Sequence, residues 1–462
     1  MDILLTHGYF LSEDVAERRI MKPYPTLGLL YISAYLKREG FGVGIFDSTF
    51  QTMEDFEGIL KNEHPIVGIY CNLMTKFSVL KMISLAKSAG CTVVLGGPEP
   101  ANYAEEYLLR GADVIVMGEG EAALAELLPV LTLHGTHKLG DVAGIVYRRD
   151  DGMVIRNAPR PQISDLDTLP DPDRDAIRLE QYLDVWKEHH GFSSVSLITA
   201  RGCPYHCEWC SHAVYGHTHR RRSPQRVAEE VDYLLGRYRP DQLWYADDVF
   251  TIKHSWFFEY AAELKRRAIK IPFECISRAD RLNEQVIDTL AEMGCRRLWI
   301  GSESGSQNVL DSMRREVKVE QVQSMTHALK RRGIETGMFI MLGYEGEELK
   351  DIEATAEHLK KSAPDVFLTT VAYPIKGTAY YQKVEDRVLA RADWDRRSDR
   401  QLTVAGRHSR RFYSFANQWL VHSVSLHHER LSARRWVRMV KSVTNVAIGR
   451  VGMWLTSRER EI

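Results

Sequence analysis

Short runs of β-branched and aliphatic residues alternate with longer segments of helical period along the first 135 residues. The alternation predicts strands at Ile3–Thr6, Val43–Phe46, Ile66–Tyr70, Thr92–Leu95 and Asp113–Met117, in a parallel sheet covered on both faces. Thr26 stands as an N-cap before LGLLYISAYLKREG, whose Leu27, Leu30, Tyr31 and Ala34 share one helical face, and Gly40 ends that helix. Five βα units in a row predict a doubly wound, Rossmann-like α/β domain over residues 1–140. Ligands of such sheets bind beyond the carboxyl ends of the strands. Asn72, Gly96, Gly97, Gly118 and Glu119 fall there and are candidate contacts.

Residues 141–190 read as a hairpin around Asp151-Gly152 and a Pro- and Asp-rich connector, PRPQISDLDTLPDPD. A second alternation follows over 191–380, with strands at Val195–Thr199, Gln242–Tyr245, Phe273–Ser277, Arg297–Ile300, Thr336–Met341 and Val366–Tyr373. Helices of ten or more residues separate them, which fits a partial (βα)6 barrel of the TIM type. Residues 381–462 are Arg-rich and helix-favouring. Between Arg407 and Arg460 there are eleven Lys/Arg against Glu429 and Glu459. This segment reads as a helical cap with a solvated basic face. A helix lying on a membrane surface through 434–455 is the alternative, because Trp436, Val440, Val446, Ile448 and Trp454 interleave with the cations.

Charge changes this picture little. Lys plus Arg (61) nearly balance Asp plus Glu (62), so the whole-chain field gives no reason to expect nucleic acid. The start, MDILLTHGYF, lacks a basic region followed by a long apolar run, and no stretch reaches eighteen apolar residues, so a cytoplasmic protein is expected. Seven cysteines are too few for a disulfide framework in a chain of this length, and their odd number points to thiols or metal ligands.

Three of the seven, Cys203, Cys207 and Cys210, stand in ITARGCPYHCEWC directly after the first barrel strand. Their C-x-x-x-C-x-x-C spacing lets one loop wrap three thiolates round a small inorganic cluster, leaving a fourth iron open to a chelating ligand. A zinc site completed by His206 or His212 is the competing assignment. Cys71, Cys91, Cys275 and Cys295 are scattered on strands and helix ends and read as small buried hydrophobes.

With an aromatic, Trp209, before the last cysteine, this motif resembles that of the radical AdoMet (radical SAM) superfamily over residues 191–380. The resemblance implies a 4Fe-4S cluster on Cys203, Cys207 and Cys210, with S-adenosyl-L-methionine on the open iron. An electron from the cluster would split its sulfonium to give a 5′-deoxyadenosyl radical. It also implies AdoMet contacts at successive strand ends. Asp247 and Asp248 in WYADDVF resemble the contacts to the methionine amine, and Arg278 in ISRAD and Glu303 in GSESG those to the carboxylate and ribose. Gly337 with LGYEGE resembles the adenine-side backbone. An electron donor such as flavodoxin or ferredoxin and a small-molecule substrate complete the implied set.

A doubly wound domain ahead of such a barrel resembles the cobalamin-binding subclass. The matching pieces are PTLGLLYISAYL, GGPEP and GEGE. The related Asp-x-His-x-x-Gly loop that ligates cobalt is replaced here by THGYFLSEDVAERR, which has His7 without the spacing. Base-off cobalamin without a histidine ligand, its lower face against the Tyr70–Met74 loop, is therefore expected. The subclass includes cobalamin-dependent methyltransferases and the anaerobic magnesium-protoporphyrin monomethyl ester oxidative cyclases. Methylation of an unactivated carbon ranks first, ahead of oxidative cyclisation or rearrangement. A non-catalytic cobalamin or metal sensor is the reading from another class.

Overall fold

The β-branched runs at the start pair into one seven-stranded sheet. Its strands are β1 (Ile3–His7), β2 (Val43–Phe46), β3 (Ile66–Tyr70), β4 (Thr92–Gly96), β5 (Val114–Val116), β6 (Ile145–Arg148) and β7 (Val154–Arg156), in the order β2-β1-β3-β4-β5-β6-β7. The computed structural model describes residues 1–61, 66–429 and 436–462, and side chains outside 429–440 within that range. The first five strands are parallel. Alternate residues serve opposite faces: Ile3, Leu5, Val94, Val114 and Val116 enter one apolar core, whereas Leu4, Val93, Leu95 and Ile115 enter the other. That period-two division is what a sheet covered on both sides requires.

The hairpin does not stand apart as a connector. β6 pairs antiparallel with β5 and β7 with β6, extending the sheet, and Gly152 makes the turn at φ 87°. The Pro- and Asp-rich stretch is also fixed. Asp173 accepts from Ser33 Oγ at 2.5 Å and pairs with Lys37 at 2.7 Å, while its own N–H donates to Leu30 O. Helix Leu27–Arg38 begins after Thr26 as expected, but the Thr26 side chain makes no capping hydrogen bond. Gly40 takes φ 91° just past its end.

The chain folds into two compact units, neither contiguous in sequence. One is Met1–Pro204 with Ser211–Trp244 and Ala392–Ser398; the other is Tyr205–Cys210 with Tyr245–Arg391 and Asp399–Ile462. The first unit also contains β8 (Ser194–Leu197) and a two-residue antiparallel pair, β9 (Ala200–Arg201) with β10 (Arg220–Arg221). Residues 392–398 are held there by Lys76. This lysine is fully buried and donates from Nζ to Trp394 O (2.6 Å) and Arg397 O (2.8 Å), with Glu99 at 3.9 Å.

β11 (Gln242–Tyr245) leads into the second unit, where β12 (Phe273–Ser277), β13 (Cys295–Glu303), β14 (Glu335–Leu342) and β15 (Val366–Val371) pair in parallel. Helices cross between them, and the unit ends with helices Arg410–Glu429 and Trp436–Thr456, which pack on each other. Among the described residues no helix is long and apolar enough to cross a membrane.

Candidate functional site

The cysteine segment of the second unit is anchored by the residues between its thiols. Trp209 packs on Val309, Met313, Tyr344, Ala372, Tyr380, Val384 and Val404. Glu208 is buried, accepts from Tyr344 Oη at 2.8 Å, and pairs with Arg314 (3.2 Å) and Lys383 (3.3 Å). Its N–H donates to Met313 O, and its C=O accepts from Tyr380 N. Main chain and side chain together fix the loop between Cys207 and Cys210.

Cys207 is buried and its Sγ receives two guanidinium N–H groups, Arg278 Nη1 and Arg315 Nη1, each at 3.8 Å. Arg278 is itself 2% exposed. It donates from Nε to Asp280 (2.8 Å) and from Nη2 to Arg315 O (2.8 Å), and lies 3.6 Å over the Tyr205 ring. Asp280 and Arg315 O thus hold the guanidinium while Nη1 reaches the cysteine segment. Arg315 in turn donates from Nη2 to Gly301 O at 2.7 Å, tying the same thiol to β13.

Glu303 is the last residue of β13, where the register slips and the backbone turns to φ 63°, a left-handed conformation costly for a residue with a Cβ. Burial pushes its carboxyl up to about 7, against the lowering effect of Arg315 and then Arg278. Its neighbour Ser302 is held by His358, whose Nε2 lies 2.9 Å from Ser302 Oγ while Gln323 Nε2 donates to Nδ1. Burial pushes His358 down to about 4, so this imidazole is neutral. Asp247 is buried and Asp248 exposed on the loop after β11, and Phe250 N fixes that loop by donating to Ile276 O at 2.8 Å. Desolvation, and then the charge of Asp247, raise the Asp248 carboxyl.

Gly337 does not belong to this group. It is the third residue of β14, opposite Trp299, and a Cβ there would meet the Trp299 ring at 2.4 Å. The glycine exists to seat the indole, whose Nε1 donates to Glu274 at 2.9 Å. At the other end of β14 the LGYEGE stretch carries Glu347, buried, with Oε2 accepting from Gly343 N and Oε1 without a hydrogen-bond partner. Burial drives its carboxyl up to about 8.

Cys203 lies in the first unit, four residues ahead of Cys207, at intermediate exposure; Cys210 is exposed. Among the described residues no disulfide involves any of the seven cysteines, and no three His, Cys, Asp or Glu side chains are gathered about one point, the three thiols included. His212 is engaged with Gly216 O at 3.2 Å. Within the second unit the two cationic N–H donors aimed at the buried sulfur of Cys207 suit a thiolate that ligates a metal.

In the first unit the candidate contacts divide. Gly96, at the end of β4, has nothing within 4 Å of where a Cβ would be, so the rim of the sheet is open there. Gly97 takes φ 109°, and a Cβ would strike Cys71 O at 2.3 Å, so only glycine fits. Gly118 also has positive φ, 78°. Gly96 thus leaves room for a ligand to approach the main chain at the end of β4. Asn72 closes a turn instead, with Oδ1 accepting from Met74 N (2.9 Å) and Thr75 N (3.1 Å). Glu119 is taken up by Arg201 Nη1 and Arg220 Nη1, both at 2.7 Å, and by Ile163 N; Arg201 Nη2 also meets Glu121 at 2.6 Å. The GEGE carboxylates therefore hold β9 and β10, the pair from which the cysteine loop departs. His7 is buried, with Nε2 3.1 Å from Asp47 and Nδ1 bonded to Tyr9 N and Ser48 Oγ, a hydrogen-bonding residue with both ring nitrogens engaged.

Sequence reasoning passed over Arg315, Glu208, Glu347 and Arg201. Glu208 and Arg201 stood within reach of it, one between the last two cysteines and the other two residues before the first. Arg315 follows a six-residue helix with no periodic signal.

A doubly wound domain ahead of a second parallel sheet that carries a cysteine segment agrees with the class of radical AdoMet enzymes, which the family profiles show. The Radical SAM superfamily profile matches residues 197–359 and the B12 binding domain profile residues 18–128. The chain belongs to the radical SAM enzymes that carry a B12 binding domain ahead of the radical domain. It is 28% identical over 393 residues to an uncharacterized methyltransferase of Pyrococcus horikoshii, covering 83% of each chain. It is 27% identical over 403 residues to the anaerobic magnesium-protoporphyrin IX monomethyl ester cyclase of Rubrivivax gelatinosus, covering 84% of this chain and 71% of the cyclase. The radical S-adenosylmethionine methyltransferase TsrM of Kitasatospora setae, solved with cobalamin and a 4Fe-4S cluster bound, shares the fold with a TM-score of 0.70 at 17% identity, over 85% of this chain and 77% of that one.

Proposed function

We propose that this enzyme methylates an unactivated carbon of a small-molecule substrate. It uses AdoMet, a 4Fe-4S cluster on Cys203, Cys207 and Cys210, and base-off cobalamin on the N-terminal sheet. The supporting observation is that the similarity to a methyltransferase runs through both domains, over 83% of each chain. The cluster, when bound, supplies the electron that cleaves AdoMet to methionine and a 5′-deoxyadenosyl radical, and cobalamin, when bound, carries the methyl group.

The chain's own residues position and shield. Asp247 and Asp248 offer carboxylates to the methionine ammonium. Glu303, titrating near 7, presents both a donor and an acceptor to ribose hydroxyls at neutral pH. Arg278 and Arg315 orient Cys207 and leave AdoMet to the other strand ends. With both nitrogens of His7 engaged, the Tyr70–Met74 loop rather than an imidazole would hold cobalamin, which would be base-off. A flavodoxin or ferredoxin serves as electron donor.

The test is product stoichiometry in anaerobic incubations with AdoMet, reductant and cobalamin. A methyltransferase yields 5′-deoxyadenosine and S-adenosylhomocysteine together. 5′-Deoxyadenosine without S-adenosylhomocysteine would overturn the methyl transfer and select oxidative cyclisation, the second reading, which rests on the similarity to the Rubrivivax cyclase.

A further inference from the structure

Helix Trp436–Thr456 is built inside out. The residues it buries from 441 onward are mostly small: Ser442, Gly449, Gly452 and Thr456, with Met453. A Cβ on Gly449 would meet Trp419 Cβ at 2.7 Å, and one on Gly452 would meet the Phe415 ring at 2.3 Å, so the two glycines let this helix press against helix Arg410–Glu429. The large apolar side chains face outward. Val443 is 50% exposed, Ile448 47%, Val451 56%, Trp454 74% and Leu455 66%, and with Ala447 they follow one helical stripe. A water-facing helix does the reverse, and large contiguous apolar surface marks a contact.

Charge identifies what is contacted. Residues 430–458 contain seven Lys/Arg and no Asp or Glu. At 3.6 residues per turn, Arg450 borders the stripe on one side and Lys441 on the other, with Arg458 beyond its end, all three exposed. Arg450 also reaches Glu353, which with Glu357, Trp419 and Val446 lines a groove of about 660 Å³ beside the stripe. An apolar stripe rimmed by cations, with an indole at its end, complements an anionic bilayer surface, where acyl chains take the stripe and phosphates the rim. Arg434 and Arg435, at the start of the segment singled out in the sequence, lie outside the described residues.

We propose that this face docks the enzyme on an anionic lipid surface, with Val443, Ile448, Val451, Trp454 and Leu455 entering the acyl boundary and Lys441 and Arg458 meeting lipid phosphates. The helix lies along the surface and does not span it. The test is co-sedimentation of the full chain with vesicles of phosphatidylcholine alone and of phosphatidylcholine mixed with phosphatidylglycerol. The wild type pellets with the mixed vesicles, and binding falls as salt is raised. The double variant V451S/W454S loses roughly tenfold or more of that binding. K441E/R458E loses it while its melting temperature stays that of the wild type. Wild type remaining in the supernatant, or pelleting equally with both vesicles, overturns the proposal. So does unchanged binding by V451S/W454S. A dimer in solution that V451S/W454S dissolves also overturns it, since a second copy would then be the occupant.

Discussion

Arg315 Nη1 donates to the sulfur of Cys207 across 3.8 Å, and Arg278 Nη1 reaches the same atom at the same distance. Hydrogen bonds to cluster sulfurs are a main control of reduction potential. With the cluster bound, Arg315→Gln removes one cationic donor and disfavours the reduced, more negative state. The midpoint potential should fall by about 60 mV, the one-electron equivalent of a tenfold change. A redox titration followed by electron paramagnetic resonance measures this, and Arg315→Lys should fall between variant and wild type.

The three cysteines give the plainest prediction. Replacing Cys203, Cys207 or Cys210 with Ala should abolish both bound iron and 5′-deoxyadenosine formation. Changing Cys71, which burial holds up at about 12 as an inert thiol, should leave iron unaltered. Iron analysis and chromatography of the products read both.

Much of this was legible beforehand, and the failures have physical causes. Strands such as Val43–Phe46, Ile66–Tyr70, Gln242–Tyr245 and Phe273–Ser277 fall where their β-branched and aromatic runs placed them, most plainly in interior strands such as Ile66–Tyr70, where burial on both faces leaves an apolar run. The hairpin was visible from Asp151-Gly152, but its membership of the sheet was not, since edge pairing leaves no mark in periodicity. Gly337 misled for a related reason. A glycine that accommodates an indole on the neighbouring strand looks in sequence like one that admits a ligand. Glu119 had the right address, yet its partners Arg201 and Arg220 come from far along the chain, and long-range ion pairs are not written in local spacing.

Gly337→Ala separates the two roles directly. A methyl group placed 2.4 Å from the Trp299 ring must displace it, at a cost of about 1–3 kcal/mol. The melting temperature should drop, while the AdoMet dissociation constant, measured at a temperature where the variant is folded, should stay within experimental error of the wild type.

Glu347 predicts a pH dependence. Its folded-state carboxyl titrates at about 8 against an ordinary 4.5, so the folded chain retains a proton that the unfolded chain has lost. The associated stability is complete below pH 4.5 and disappears as pH rises through 8. Glu347→Gln keeps an acceptor for Gly343 N and removes the buried charge. It should match the wild type in acid and exceed it by a few kcal/mol, on the order of the shift at about 1.4 kcal/mol per unit, at pH 8 and above. Denaturant titrations at a series of pH values give the curve.

Arg201 and Arg220 share the buried carboxylate of Glu119, and Arg201 keeps Glu121 when it is lost, so Glu119→Ala should cost about 3 kcal/mol, chiefly at Arg220. Urea unfolding measures it, and Glu119→Gln should restore part of the loss.

The buried ammonium of Lys76 has a consequence for how the chain is made. Its acceptors, the carbonyls of Trp394 and Arg397, are synthesised more than three hundred residues later. Until they emerge from the ribosome, a lysine buried in the first unit, with Glu99 3.9 Å away, lacks these two carbonyl acceptors, and that unit stays unfinished. Fragments cut anywhere between residues 245 and 391 would carry the same defect permanently. The nascent polypeptide thus passes most of its time on the ribosome with an incomplete N-terminal body, a state in which chaperone engagement is to be expected.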